Sequence, residues 1–170
     1  AKLNNLKQAA KTMNFLTEHG ISSYGELESK LTAVSARRDT AHAEIKRIES
    51  RSTELVLVMK HAGTYRQLKP LYDRYRKSND KEKFLRGHES EIILFEAAAR
   101  ELKRLGAVPL PTTESMKKDL ANLNAEKERL LAEYKAARTE AQEYDTVKQN
   151  VDALLTVPKR PAVNLNYDLE

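Results

Sequence analysis

Between Tyr24 and Met59 the apolar positions fall into a strict alternation of three and four residues: Tyr24, Leu27, Leu31, Val34, Arg38, Ala41, Ile45, Ile48, Ser52, Leu55, Met59. A period of 3.5 keeps one narrow stripe of a helix facing a partner helix, which is the pattern of a coiled coil. The same period returns in Met116, Leu120, Leu123, Lys127, Leu130, Tyr134, Ala137, Ala141, Tyr144, Lys148, Val151 and Leu155. Each stretch predicts a helix of roughly 54–60 Å at 1.5 Å per residue. Two seams of equal length joined by a middle insert predict that the chain goes out and comes back. Pairing Met59 with Met116 sets Val34 near Ala141, Ala41 near Tyr134 and Ile45 near Leu130, so that large residues meet small ones. Arg38 then lies opposite Ala137, where its stem packs and its charge reaches water.

The flanking signals agree. Leu6, Ala9, Met13 and Leu16 predict a short first helix, Gly20 a left-handed end with Ile21 behind it, and Ser23 with Glu26 a capping box. In the insert, Pro70 predicts a break or kink, and "SND" at 78–80 offers a new helix start. Ile92, Ile93, Phe95, Leu102 and Leu105 are the expected small core there, Gly106 the end, and Thr112 or Thr113 the cap of the returning helix. The fold class is therefore all-α: an elongated antiparallel coiled-coil hairpin of two long helices with a small helical insert at the tip and a short N-terminal helix. The expected divisions are a first helix over 1–20, a long helix over 23–60, a basic helical insert over 61–111 and a second long helix over 112–156. Residues 157–170, with two prolines and no periodicity, are expected to be disordered.

Composition narrows the chemistry. The 170 residues hold no Cys and no Trp, five Gly and five Pro, which excludes disulfides and thiolate metal sites and suits long helices. No apolar run is long enough to span a membrane, and the N-terminus shows no signal-peptide core. Together these fit a reducing cytoplasm, with no membrane partner. The four histidines are scattered, so neither a metal nor any other cofactor is expected. There is no phosphate-binding glycine loop and no nucleophile elbow, so the chain is not expected to be an enzyme.

Charge adds one feature. Between Lys60 and His88 stand nine Lys or Arg against three acids, a local +6 in a chain of +5, which leaves the remainder near −1. The segment "TYRQLKPLYDRYRKSNDKEKFLRGH" interleaves that charge with Tyr65, Tyr72, Tyr75 and Phe84. Lys and Arg neutralise phosphates, and tyrosine rings stack unpaired bases. Candidate nucleic-acid contacts are Arg66, Lys69, Tyr72, Arg74, Arg76, Lys77, Lys81, Lys83 and Arg86. The competing reading is a solvated cap whose rings pack on Ile92 and Phe95.

The stretches "NLKQAAKTMNFLTEHGISSYGELESKL" and "YRQLKPLYDRYRKSNDKEKFLRGHESEIILFEAAARELKRLG" resemble relaxases, the mobilization nucleases of conjugative and mobilisable elements in Gram-positive gut bacteria. The likeness runs from about residue 5 to residue 155. In those proteins such a segment follows the catalytic domain. The resemblance implies a parent that nicks one DNA strand at an origin of transfer and stays attached through a tyrosine. That chemistry needs a histidine cluster holding a divalent metal, which this chain lacks, so no catalytic residue carries over. What the resemblance implies for this chain is a non-catalytic accessory region that contacts DNA or other relaxosome proteins. The alternative is a coiled-coil spacer, or an arm for docking or self-association with no DNA contact.

Overall fold

The computed structural model describes residues 2–156 and contains four helices: α1 (Lys2–Glu18), α2 (Tyr24–Lys77), α3 (Lys81–Arg104) and α4 (Thr113–Leu155). No strand occurs among the described residues. The expected disordered tail at 157–170 lies outside them.

The helix ends follow the capping residues. Gly20 sits at φ +60°, with its own N–H on the Thr17 carbonyl at 3.1 Å and that of Ile21 on Leu16 at 2.8 Å. This pair of bonds closes α1 on its own last carbonyls, and only glycine adopts that φ without strain. Gly106 repeats the device at the end of α3, through Ala107 to Leu102 at 2.9 Å. Ser23 accepts the Glu26 N–H at the start of α2, Asp80 that of Lys83 before α3, and Thr112 that of Ser115 before α4. The Glu26 carboxylate reaches back to accept from the Ser22 N–H at 2.7 Å and the Ser22 hydroxyl at 2.9 Å, and more weakly from the Ser23 N–H.

The chain forms two compact units, and α2 and α4 pack against each other as an antiparallel pair in both. The first holds α1, α2 up to Asp39 and α4 from Tyr134 onward. Its core is Leu27, Val34, Ala141, Tyr144 and Val147, and Phe15, Leu16, Ile21, Leu31 and Val151 pack around it. Val34 and Ala141 share this cluster as the register predicts, and Arg37–Glu140 and Tyr24–Asp152 fall within two positions of that register. Burying Leu27, 1% exposed, contributes about 2 kcal/mol.

The short first helix forms as its spacing predicts. Thr12, Phe15 and Leu16 turn inward, while Leu6 and Met13 remain 68% and 59% exposed. A polar latch decides the rotation. Buried Thr12 donates to the Gln8 carbonyl and accepts from Asn150, and Gln8 itself donates to Asn150 at 2.6 Å. The Phe15 ring meets that of Tyr144 edge-on at 5.2 Å.

The second unit runs from Thr40 to Glu133. Ala41, Ile45, Ile48 and Leu130 are buried along the seam, and Glu49 pairs with Lys127 at 2.8 Å. Beyond Leu55 the buried stripe leaves the strict heptad. Val58 and Ala62 join Leu102 and Met116, while Met59, the expected partner of Met116, is only half-buried at the margin. The reason is a third helix: α3 covers this side of α2 and draws the buried face toward itself.

Ile93, expected in the small core of the insert with Ile92, Phe95 and Leu102, is instead 55% exposed on the outer side of α3. Two further expectations for the insert change. The helix that begins at Tyr24 continues to Lys77, straight through Pro70. Proline removes the N–H that would bond the Arg66 carbonyl, a defect of about 3 kcal/mol in a bare helix. Here Pro70 is solvent-exposed, so that carbonyl can be hydrated. The rings of Tyr65 and Tyr72, before and after it, are both stacked on Phe95 and hold the two sides in one helix. The irregularity falls instead in α3, where His88 has φ −142° and ψ 24° and divides the helix at a kink.

Candidate nucleic-acid interface

The polypeptide turns at Ser78, Asn79 and Asp80 between α2 and α3, and the basic segment flanks this turn on both sides. Arg74, Arg76 and Lys77 form the last turn of α2, where positive charge also complements the helix's negative end. Lys81 and Lys83 lie in the first turn of α3, with Arg86 one turn on.

A ladder of rings fixes the geometry of the two helices. Phe95, 6% exposed, stacks on Tyr65 at 4.7 Å and on Tyr72 at 4.2 Å. Tyr75 and Phe84 continue the contact toward the turn at 6.0 Å, and Phe84 meets His88 at 4.9 Å. Stacked pairs of this kind contribute about 0.5–1.5 kcal/mol each beyond their buried area. The cations are thus mounted on a braced corner.

The nine candidates sort by what each side chain touches. Arg66 reaches across to α4: its guanidinium donates to the Pro111 carbonyl and, at 2.9 Å, to the Thr113 hydroxyl. It clamps the segment before α4. Lys69 forms an ion pair with Asp73 at 2.8 Å. That hydrogen bond holds the Lys69 ammonium above the ordinary lysine range, opposed by desolvation and by the charge of nearby Arg76. The Tyr72 ring is half-buried, with one face engaged on Phe95. Arg74 lies 5.8 Å over the Phe84 ring, a cation–π contact that leaves its charge at the surface. Arg86 is a loose 3.8 Å from Glu82, both highly exposed. Arg76, Lys77, Lys81 and Lys83 are exposed and form no ion pair among the described residues.

The turn therefore concentrates four unpaired cations with Arg74 beside them, against Asp80 and Glu82. Asp80 is occupied in capping α3. Such an array attracts polyanions by charge, and phosphates are its simplest targets. Two partners in this arrangement escaped the sequence reading. Asp73 stands at the i+4 spacing that would have revealed its pairing with Lys69. The clamp from Arg66 to Thr113 spans 47 residues, and no local signal announces it.

Among the described residues no group of His, Asp and Glu converges in a way that could hold a metal ion, and no helix is long and apolar enough to cross a membrane. No protein-family model, curated protein or solved structure matches the chain.

Proposed function

We propose that this chain is a non-catalytic helical module that contacts the phosphate backbone of duplex DNA through the α2–α3 turn, without sequence preference. The observation that carries the reading is the set of four exposed, unpaired cations, Arg76, Lys77, Lys81 and Lys83, on a corner braced by stacked rings. A pre-ordered array loses little conformational freedom on binding, which favours even a weak electrostatic contact. Duplex DNA is the preferred form because its phosphate density is high and one face of Tyr72 is already taken by Phe95. The likeness to relaxases supplies the context: an accessory region that keeps a DNA-nicking protein or its relaxosome partners on the transfer origin. A protein-docking arm is the second reading, favoured by Ile93 and Leu94, which stand side by side and 55% exposed on α3.

The test is fluorescence anisotropy of a labelled duplex across a salt series. Changing Arg76, Lys77, Lys81 and Lys83 together to Ala should flatten the log–log salt dependence by about 3–4 units, at roughly 0.9 per phosphate. Arg66→Ala should leave that slope unchanged. A folded quadruple variant with the parental slope, or a parent that does not bind, would remove the DNA reading.

A further inference from the structure

The second unit contains a groove of about 510 Å³ between α2 and α4, closed at one end by Leu105–Ala107. Its floor is apolar, made by Leu55, Val58 and Met116, and belongs to the core cluster of that unit. Its rim is acidic: Glu54, Asp119 and Glu126 stand against one cation, Arg51. Glu54 and Asp119 form no ion pair among the described residues, and Glu126 has only a long 3.9 Å approach from Arg129. Unpaired acids around an apolar floor, in a chain of net positive charge, call for an occupant that is apolar and basic.

α1 carries such a surface. Its inner face is spent on the first unit's core, through Thr12, Phe15 and Leu16. On the outer side Leu6, Ala10 and Met13 repeat the three–four spacing of a helix-pairing seam and are all exposed. Lys7 and Lys11 flank that seam, exposed and without an ion pair among the described residues. Leu6 and Met13 are two helical turns apart, about 10.5 Å at 1.5 Å per residue. The α2 wall of the groove is also two turns long, from Arg51 to Val58, and the α4 wall, from Met116 to Glu126, is nearly three. A two-turn seam fits within both walls, and apolarity and charge agree on both sides.

The geometry points to self-association, in which the outer face of α1 from one copy docks into the α2–α4 groove of a second copy. Leu6 and Met13 cover the apolar floor, and Lys7 and Lys11 meet Glu54 and Asp119. This contact is independent of the α2–α3 turn and of any DNA binding there.

Sedimentation equilibrium of the full chain over a wide concentration range tests it, with far-UV circular dichroism to confirm that each variant keeps its helices. The parent should gain mass with concentration. Leu6→Glu with Met13→Glu should weaken that association by more than about a hundredfold, since two apolar side chains lose their burial. If that pair disturbs the fold, Lys7→Glu with Lys11→Glu serves as the second probe on the same face. Glu54→Lys with Asp119→Lys should weaken it too, and combining this reversal with Lys7→Glu and Lys11→Glu should restore it. A parent that stays monomeric overturns the proposal. So does an association that survives either the α1 or the groove variants, because the copies would then be meeting through another surface.

Discussion

Replacing Phe95 by alanine takes away the ring on which Tyr65 and Tyr72 both stack, at 4.7 and 4.2 Å. Truncating a buried phenylalanine costs about 3–5 kcal/mol, a range that includes lost burial, the residual cavity and the ring pairs. Tyr65 and Tyr72 are only half-buried, so water reaches the edge of the ladder and the lower end, about 3 kcal/mol, is expected. With a urea slope of about 2 kcal/mol/M, the denaturation midpoint falls by about 1.5 M. The assay is a urea titration followed by far-UV circular dichroism, with Leu94→Ala as its partner. Leu94 is the adjacent residue yet 55% exposed, and its truncation should cost about 0.5 kcal/mol or less. A Phe95→Ala loss below about 1 kcal/mol, or a Leu94→Ala loss as large as that of Phe95→Ala, would refute the face assigned to α3.

Pro70→Ala restores the helical N–H opposite the Arg66 carbonyl and should raise stability by about 1–3 kcal/mol in the same titration, with destabilisation as the contrary result. Gly20→Ala should cost about 1 kcal/mol, because φ +60° strains any residue with a Cβ. Gly63→Ala, in open space inside α2, should gain about 0.5–1 kcal/mol, and thermal melts of the pair should move in opposite directions. The Asp152 carboxyl is held below its ordinary range by the hydrogen bond from the Tyr24 hydroxyl and then by Lys148. A depressed carboxylate contributes stability above its unfolded value of about 3.9 and loses it as pH falls through the folded value. Melting temperatures below about pH 4 should therefore fall more steeply for the parent than for Asp152→Asn, and equal acid limbs would contradict the pairing.

The sequence made the α2–α4 pairing legible because two helices facing only each other bury one narrow stripe, and a 3.5 period records it. Val34 with Ala141 and the Glu49–Lys127 pair show how far that signal reaches. It weakened wherever a third helix joined. Val58, Ala62 and Val147 are buried against α3 or α1 off the heptad stripe, so each is invisible to a two-helix reading. The inward face of α1 was not legible for a related reason. A buried Thr12 bonded to Asn150 outweighed Leu6 and Met13, and that bond joins residues 138 positions apart. At the turn, the concentration of charge was plain from counting. Which charges are free was not, since Arg66 is committed to Pro111 and Thr113, far along the chain.

The ring ladder also gives the molecule a built-in optical gauge. The chain has seven tyrosines and no tryptophan, so tyrosine alone dominates its near-ultraviolet signal. Three of the seven, Tyr65, Tyr72 and Tyr75, belong to the ladder, with stacking separations of 4.2 and 4.7 Å onto Phe95. Rings held that close in a fixed asymmetric arrangement give circular dichroism that collapses when they rotate freely. A change in how α3 sits on α2 would therefore register as a change in near-ultraviolet ellipticity, read on the unlabelled protein while helix content stays constant.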